Sequence, residues 1–528
     1  MTDNPNPMPT AAQAAAAQDQ HENPWPALWA LVIGFFMILV DSTIVSIATP
    51  ALSRAFSADV TSVLWVTSAY LLAYAVPLLV TGRLGDRIGP KRVYLAGLVV
   101  FTLASLWCGL TTTIGGLIAA RVVQGLGASM MTPQTMAVIT RTFPAARRGQ
   151  AMALWGATAG VATLVGPILG GVLLDTLGWE WIFFINVPVG VVAFLLAARL
   201  VPSLPTHAHS FDWVGVALSA IGLFCGVFAT QEGESYHWGT ITGPISVPLL
   251  LGIGAVMLVA FVWWQGRVPA EPLVPLALFR DRNFSLANIA ITTVGFAITA
   301  MMFPFAIYAQ VVRGLDPTHA ALLLAPQAVV SILLARPTGL LVDRVHPRVM
   351  GGIGLLLMSV VIVVLSRVMT PTSEVWQILL AAVLLGVANS FVWGPLSTSA
   401  NRNLPRHLAG AGSGVYNTTR QIGSVVGSAA IAALMTSRIE AHLPGAAATA
   451  GARASGAGGG GMPPAVAEAI SAALADSMLL PAAVVLLGFV AALFFETPRH
   501  LAAPAATPTQ ATAAQGTADD AVAPPAVP

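Results

Sequence analysis

The sequence predicts an all-α polytopic membrane protein with 14 transmembrane helices grouped as six, two and six. Three observations carry that prediction. The 528 residues are 56% hydrophobic and 9% charged, with a mean hydropathy of +0.79, a balance foreign to water-soluble domains of this length. Apolar windows of about 20 residues, enough to cross the bilayer core, recur along the chain. A pattern of charged loops then repeats at a displacement of eight windows.

The windows begin near Ala27, Thr61, Val93, Ile114, Gln150, Trp181, Trp213, Ile245, Phe284, Thr318, Val349, Trp376, Gly410 and Met478; they are numbered here as spans 1 to 14. An even count puts both chain ends on one side. With the ends in the cytoplasm, inner segments carry 16 of the 24 Lys and Arg and outer segments five, while Arg121, Arg336 and Arg420 fall within spans. Positive charge concentrates on the cytoplasmic side, so both termini are expected there. Residues 1–26 and 499–528 have the composition of disordered tails. Residues 27–201 are expected as the first six-helix bundle, 210–266 as two linker spans and 284–498 as the second bundle. Within the latter, 435–477 is expected as a flexible outer loop with a short interfacial helix near its end, because Gly445–Gly461 is built of Gly and Ala.

The repeat is visible in two loops. "GRLGDRIGPK" at Gly82 is matched by "GLLVDRVHPR" at Gly339, 257 residues later, with Asp86-Arg87 answered by Asp343-Arg344. "RTFPAARRG" at Arg141 is matched by "RNLPRHLAG" at Arg402, 261 residues later. Span 2 therefore maps to span 10 and span 4 to span 12. Two parallel six-helix halves separated by two extra spans follow, an arrangement used by transporters with a midplane site.

Several function classes drop out. A net charge of +2 is no electrostatic footprint for nucleic acid. No GxxxxGK[ST] loop occurs, and Lys91 follows Pro90, so ATP is not the expected driver. Cys108 and Cys225 lie far apart in apolar runs and read as small buried hydrophobes. No cofactor, metal or enzymatic activity is expected.

The loop Gly82-Arg83-Leu84-Gly85-Asp86-Arg87-Ile88-Gly89-Pro90-Lys91-Arg92 resembles the signature loop of the major facilitator superfamily. "VDSTIVSIATP" (Val40 to Pro50) is similar to the first-span motif of its fourteen-helix drug:proton antiporters. "GPILGG", with Gly166, Pro167, Gly170 and Gly171, resembles their span 5 antiporter motif. "WEWIFFINVPVG" (Trp179 to Gly190) and "GVYNTTRQIGSVVGSA" in span 13 fit the same family. The resemblance covers about 27–500. It implies the major facilitator fold and a cytoplasmic latch formed by Gly82, Asp86, Arg87, Gly89, Lys91 and Arg92, which holds the outward-facing state by pairing with helix ends of the opposite half. A carboxylate is favoured at a helix N-terminus, which supplies the physical reason. Gly166-Pro167 would bend span 5, and Gly170 and Gly171 would allow a tight contact between the halves.

Asp41 is the one acid deep inside a span. A charged Asp there costs about 2.5–3.5 kcal/mol and is functional by default. From helix rise, Asp41 and Arg121 lie about 12 and 10 Å below the outer face. They are expected to pair, either as a proton-coupling couple, the role that the resemblance assigns, or as a static packing pair. Arg420, roughly 15 Å into span 13, either bonds backbone carbonyls or faces the cavity. Glu232 is expected in a solvated outer loop. Tyr70, Tyr74, Gln124, Met301, Met302, Phe305 and Arg420 are candidate cavity residues.

The expected function is a proton-coupled antiporter that exports lipophilic drugs or antibiotics across a bacterial plasma membrane as a monomer. The partners are a small lipophilic molecule, protons and the bilayer. With Asp41 as sole deep carboxylate, neutral and monocationic cargo is expected. A transporter of the same fold for a physiological solute, or a membrane scaffold or sensor that has lost transport, stays open at this point.

Overall fold

The computed structural model describes residues 23–58, 60–144, 147–206, 212–233, 236, 238–268, 272–342, 344–405, 408–443 and 463–496. The terminal tails outside that range, Gly445–Gly461 and Asp343 lie outside the described residues. Inside hydrocarbon every backbone N–H and C=O must find its partner within the chain, and the apolar windows accordingly form helices. Where helices begin in wetter surroundings, side chains cap them. Thr113 accepts from the Gly116 amide, Asp212 from Gly215 and Asp281 from Phe284.

Among the described residues, 12 helices are long and apolar enough to cross a bilayer. The pair Trp65–Ala75 and Leu78–Ile88, bent by 45°, adds span 2. The 29-residue helix Arg148–Thr176 adds span 5; at 1.5 Å per residue it is about 44 Å long. Every window thus has its helix. Span 14 starts earlier than expected. The segment assigned to a loop and an interfacial helix is the helix Pro464–Ser477, which buries Ile470, Ser471 and Leu474 and continues into Leu479–Leu493. Ser471 donates to the Met369 carbonyl and Ser366 to that of Ala475, fastening this helix to span 11. Span 13 likewise runs on to His442.

Spans 1 to 6 pack among themselves, as do spans 9 to 14. The halves meet through two sets of equivalent pairings, span 2 with span 13 and span 10 with span 5, then span 4 with span 13 and span 12 with span 5. We call the end of the bundle bearing the Gly82–Arg92 loop the inner end, following the arginine distribution. There a side chain added at Gly82 would strike Gly410 and Gly414, and one at Gly339 would strike Gln150. The repeat found in the sequence is therefore a repeat of contacts.

The linker spans take different positions. Span 7 (Trp213–Glu232) lies across the seam between spans 2 and 13, with Val227 packed against Leu72 and Val425. Trp65 of span 2 and Phe228 of span 7 approach with ring centroids 5.4 Å apart. Span 8 (Val247–Gln265) packs chiefly on span 7, exposing Val256, Val259 and Trp263 where lipid would lie. Outside, strands β1 (Thr240–Thr242) and β2 (Ile245–Ser246) form an antiparallel hairpin between them. At their other ends Asp212 accepts from Trp264 Nε1 at 2.9 Å and Gln265 Nε2 at 2.7 Å. Glu232 differs from its expected solvated setting: it is only 5% exposed.

Candidate functional site

Span 1 (Trp25–Phe56) brings Asp41 into the first half, where its side chain is fully buried. Span 4 (Ile114–Thr142) brings Arg121 to it, with Arg121 Nη1 2.5 Å from Asp41 Oδ2. The other carboxylate oxygen accepts twice at 2.9 Å, from Gln124 Nε2 and from Asn186 Nδ2. Span 3 contributes Ser105, whose hydroxyl accepts from Asn186 at 3.0 Å and Gln124 at 3.2 Å while donating to the Phe183 carbonyl. Arg121 is held from three further directions. Its Nε donates to the Val66 carbonyl at 3.1 Å, Nη1 reaches Gln124 Oε1 at 2.7 Å, and its guanidinium lies 4.0 Å from the Tyr70 ring centroid.

The polar groups here are nearly all satisfied, as a charge in hydrocarbon requires. Arg121 Nη2 is the exception, a buried nitrogen without an acceptor among the described residues. The direction of the cluster matters as much as its content. Ser105 and Asn186 belong to spans 3 and 6, so the carboxylate points into the first half and away from the second. Gln124, Tyr70 and Tyr74, expected on a cavity wall, are enclosed in that half instead. Tyr70 donates to the Ile38 carbonyl and Tyr74 to Thr132. In this arrangement both Asp41 oxygens are taken, by Arg121 on one side and by Gln124 and Asn186 on the other.

The inner seam is the second constellation. Asp86, 2% exposed, accepts from the Gly410 amide at 2.9 Å and from the Ala411 amide at 2.8 Å. Those are first-turn amides of span 13 (Ala409–His442), unpaired within their own helix and aimed at an anion. Arg83 Nη1 stands 3.9 Å from the same carboxylate. Gly82 allows the close approach, and Gly89, at φ 99°, turns the chain into span 3. Arg87 and Arg92 lie exposed at the surface and Lys91 half-buried.

The span 5 glycines have different partners from those expected. A side chain at Gly166 would strike Thr43 and one at Gly170 would strike Ile44, both on span 1 of the same half. Of the motif glycines, Gly171 is the one that looks across to the other half, toward Thr318. The Pro167 side chain lies outside the described residues; span 5 is one helix through that position.

In the second half Met301 and Phe305 are buried and Met302 partly so. Met301 borders a small cavity with Ile298, Gln327, Met358 and Asn389. Asn389 also borders a small space between the halves, with Ala153, Gly156, Ser331 and Trp393. Trp393 meets Trp155 edge to face, and Trp155 stacks on Phe35 at 4.8 Å.

Sequence reasoning missed Ser105, Asn186 and Asn389. Ser105 and Asn186 each interrupt an apolar run and Asn389 stands beside Ser390, which was the available signal, but nothing along the chain said which polar residues would converge.

The family model described as Major Facilitator Superfamily matches residues 31–428. The chain is 53% identical over 488 residues to "Uncharacterized MFS-type transporter Rv1250" of Mycobacterium tuberculosis, covering 92% of this chain and 83% of that protein. It is 32% identical over 462 residues to the tetracenomycin C resistance and export protein of Streptomyces glaucescens, covering 83% and 82%. Its fold is similar to that of the proton:xylose symporter XylE bound to 6-bromo-6-deoxy-D-glucose. The TM-score is 0.59 at 12% identity, with 88% of this chain and 94% of that one covered.

Proposed function

The chain belongs to the major facilitator superfamily, and on that premise we propose that it is a proton-coupled antiporter that exports lipophilic drugs or antibiotics by alternating access. One observation carries the coupling: a fully buried carboxylate on span 1, held by an arginine and two amides. Protonation of Asp41 would remove its attraction to Arg121 and leave an O–H facing donors. The network would then rearrange, so a proton taken up from outside becomes a movement within the first half. Resistance and export are in the printed name of the Streptomyces relative, which supports cargo of that kind.

The inner seam supplies the alternation. Asp86 on the span 13 amides closes the inner end, and breaking that contact opens it. The proposed setting is a bacterial plasma membrane with both termini in the cytoplasm, and the proposed unit is a monomer. The test is substrate uptake into inside-out vesicles driven by a pH gradient. Asp41→Asn should lower it by tenfold or more while the protein still inserts and purifies as a monodisperse species. Uptake by the variant at the parental rate would remove Asp41 from the coupling step.

A further inference from the structure

Trp155 of span 5 is among the largest side chains that the fold buries completely. It is the eighth residue of the helix Arg148–Thr176, about 10 Å from the inner end at 1.5 Å per residue. Within the first half its ring stacks on Phe35 of span 1, with centroids 4.8 Å apart and planes inclined by 20°. Toward the second half it meets the Trp393 ring of span 12 edge to face, at 6.2 Å and 78°. Among the described residues this is the one aromatic pair that joins the two halves.

Span 12 approaches so closely because small residues face each other there. A side chain added at Gly156 would lie 2.4 Å from Trp393 Cβ, and one at Gly394 would lie 3.3 Å from Ala153 Cβ. Trp393 is therefore seated on span 5 from its Cβ outward, and parting the spans breaks the ring contact. The equivalent place on the other seam is built differently. Tyr416, 261 residues after Trp155, is likewise the eighth residue of its helix, Ala409–His442. It is fully buried but has no ring partner among the described residues, and Thr132 stands where the repeat would put the mate of Trp393. Polar contacts hold that seam. Asn417 donates to Met136 Sδ at 3.8 Å, Asp86 accepts the first-turn amides, and half-buried Arg420 stands one turn beyond Tyr416.

We propose that Phe35, Trp155 and Trp393 form a second lock on the inner end, on the seam opposite Asp86. Gly410 is the second residue of span 13 and Trp155 the eighth of span 5, so the aromatic lock lies about 9 Å deeper. Edge-to-face pairing adds attraction beyond the area buried, and that attraction is lost when the halves part. One feature of Trp155 limits its strength. Its Nε1 is a buried donor without an acceptor among the described residues, a penalty relieved when water reaches it on opening. The lock biases the closed state without fixing it. The proposal rests on the alternating-access reading above and names a second set of residues that sets its balance.

The test reads opening at two thiols on the other seam, in the full-length protein with Cys108 and Cys225 replaced by Ala. One is Met136→Cys, beside Asn417, and the other is Ala411→Cys, beside Asp86; both positions are buried. A maleimide is applied from the inner side. Trp393→Ala should speed modification of both thiols about tenfold, the loss of one aromatic pair across the halves. Trp393→Phe, which keeps a ring, should change both by about threefold at most. Gly156→Ala deletes no contact but sets a methyl against Trp393 Cβ, so it too should speed both thiols, by about threefold or more. If Trp393→Ala does not purify as a monodisperse species, Gly156→Ala decides alone. Rates within twofold of the parent in either variant would overturn the proposal. So would a speeding confined to one thiol, which marks local loosening rather than separation of the halves. If Asp86→Asn speeds both thiols and these variants do not, alternating access stands and the lock falls. If none of the three does, the inner seam is not a closure that opens, and both readings fall.

Discussion

Replacing Asp86 by Asn should release the inner seam by an amount that the geometry sets. The carboxylate accepts two amides of span 13 at 2.9 and 2.8 Å, one on each oxygen. An asparagine keeps one acceptor and turns an NH2 toward the other amide, so one buried N–H loses its partner. That costs about 1–3 kcal/mol. Loss of a negative charge at a helix N-terminus removes a further ~0.3–1 kcal/mol. Both terms vanish once the seam opens and water reaches the groups, so the closed state alone is penalised, by about 1.3–4 kcal/mol. The open population rises by about tenfold to several hundredfold, until open molecules are the majority. Met136, fully buried at this seam next to Asn417, is the place to read it. In a background where Met136 is changed to Cys, modification by a maleimide applied from the inner side follows the open population. The buried native thiols Cys108 and Cys225 are replaced by Ala beforehand. Asp86→Asn should speed modification about tenfold or more. A rate within twofold of the parent would show that these hydrogen bonds do not hold the closed state.

Two further outcomes follow from other contacts. Asn186→Leu removes a donor from Asp41 and from Ser105; it should cost about 1–3 kcal/mol, read as a Tm several degrees lower in detergent, and an unchanged Tm would mean that Gln124 alone satisfies the carboxylate. The Asp212 tie should resist acid: burial raises its pKa, but hydrogen bonds from Gly215, Trp264 and Gln265 outweigh that and hold it below the usual carboxylate range. A depressed folded pKa stabilises the fold at all higher pH and is lost only as pH falls through it. Fluorescence assigned to Trp264, by difference against Trp264→Phe, should stay flat from pH 8 down to about 5, above the ordinary Asp range; a transition centred near pH 6 would contradict the tie.

The sequence by itself determined what depends on hydrocarbon as a solvent. Apolar runs of bilayer length have to be helices, so the spans were legible, as were the internal repeat and the two deep charges, Asp41 and Arg121. The seam loop could be read because Asp86 and its flanking glycines stand out against so few charges. Tertiary structure decided the rest. A span that is apolar all round can turn any face to lipid or to protein, so periodicity did not reveal that Gly166 and Gly170 pack on span 1. Nor did it reveal that Glu232, at the end of span 7, is buried. Convergence was equally invisible: Ser105 and Asn186 are 81 residues apart, and only the packing of spans 3 and 6 brings both to Asp41. That packing also turned the carboxylate inward. A residue's type can be read from the chain, but the direction in which a buried charge points is a property of the helices around it.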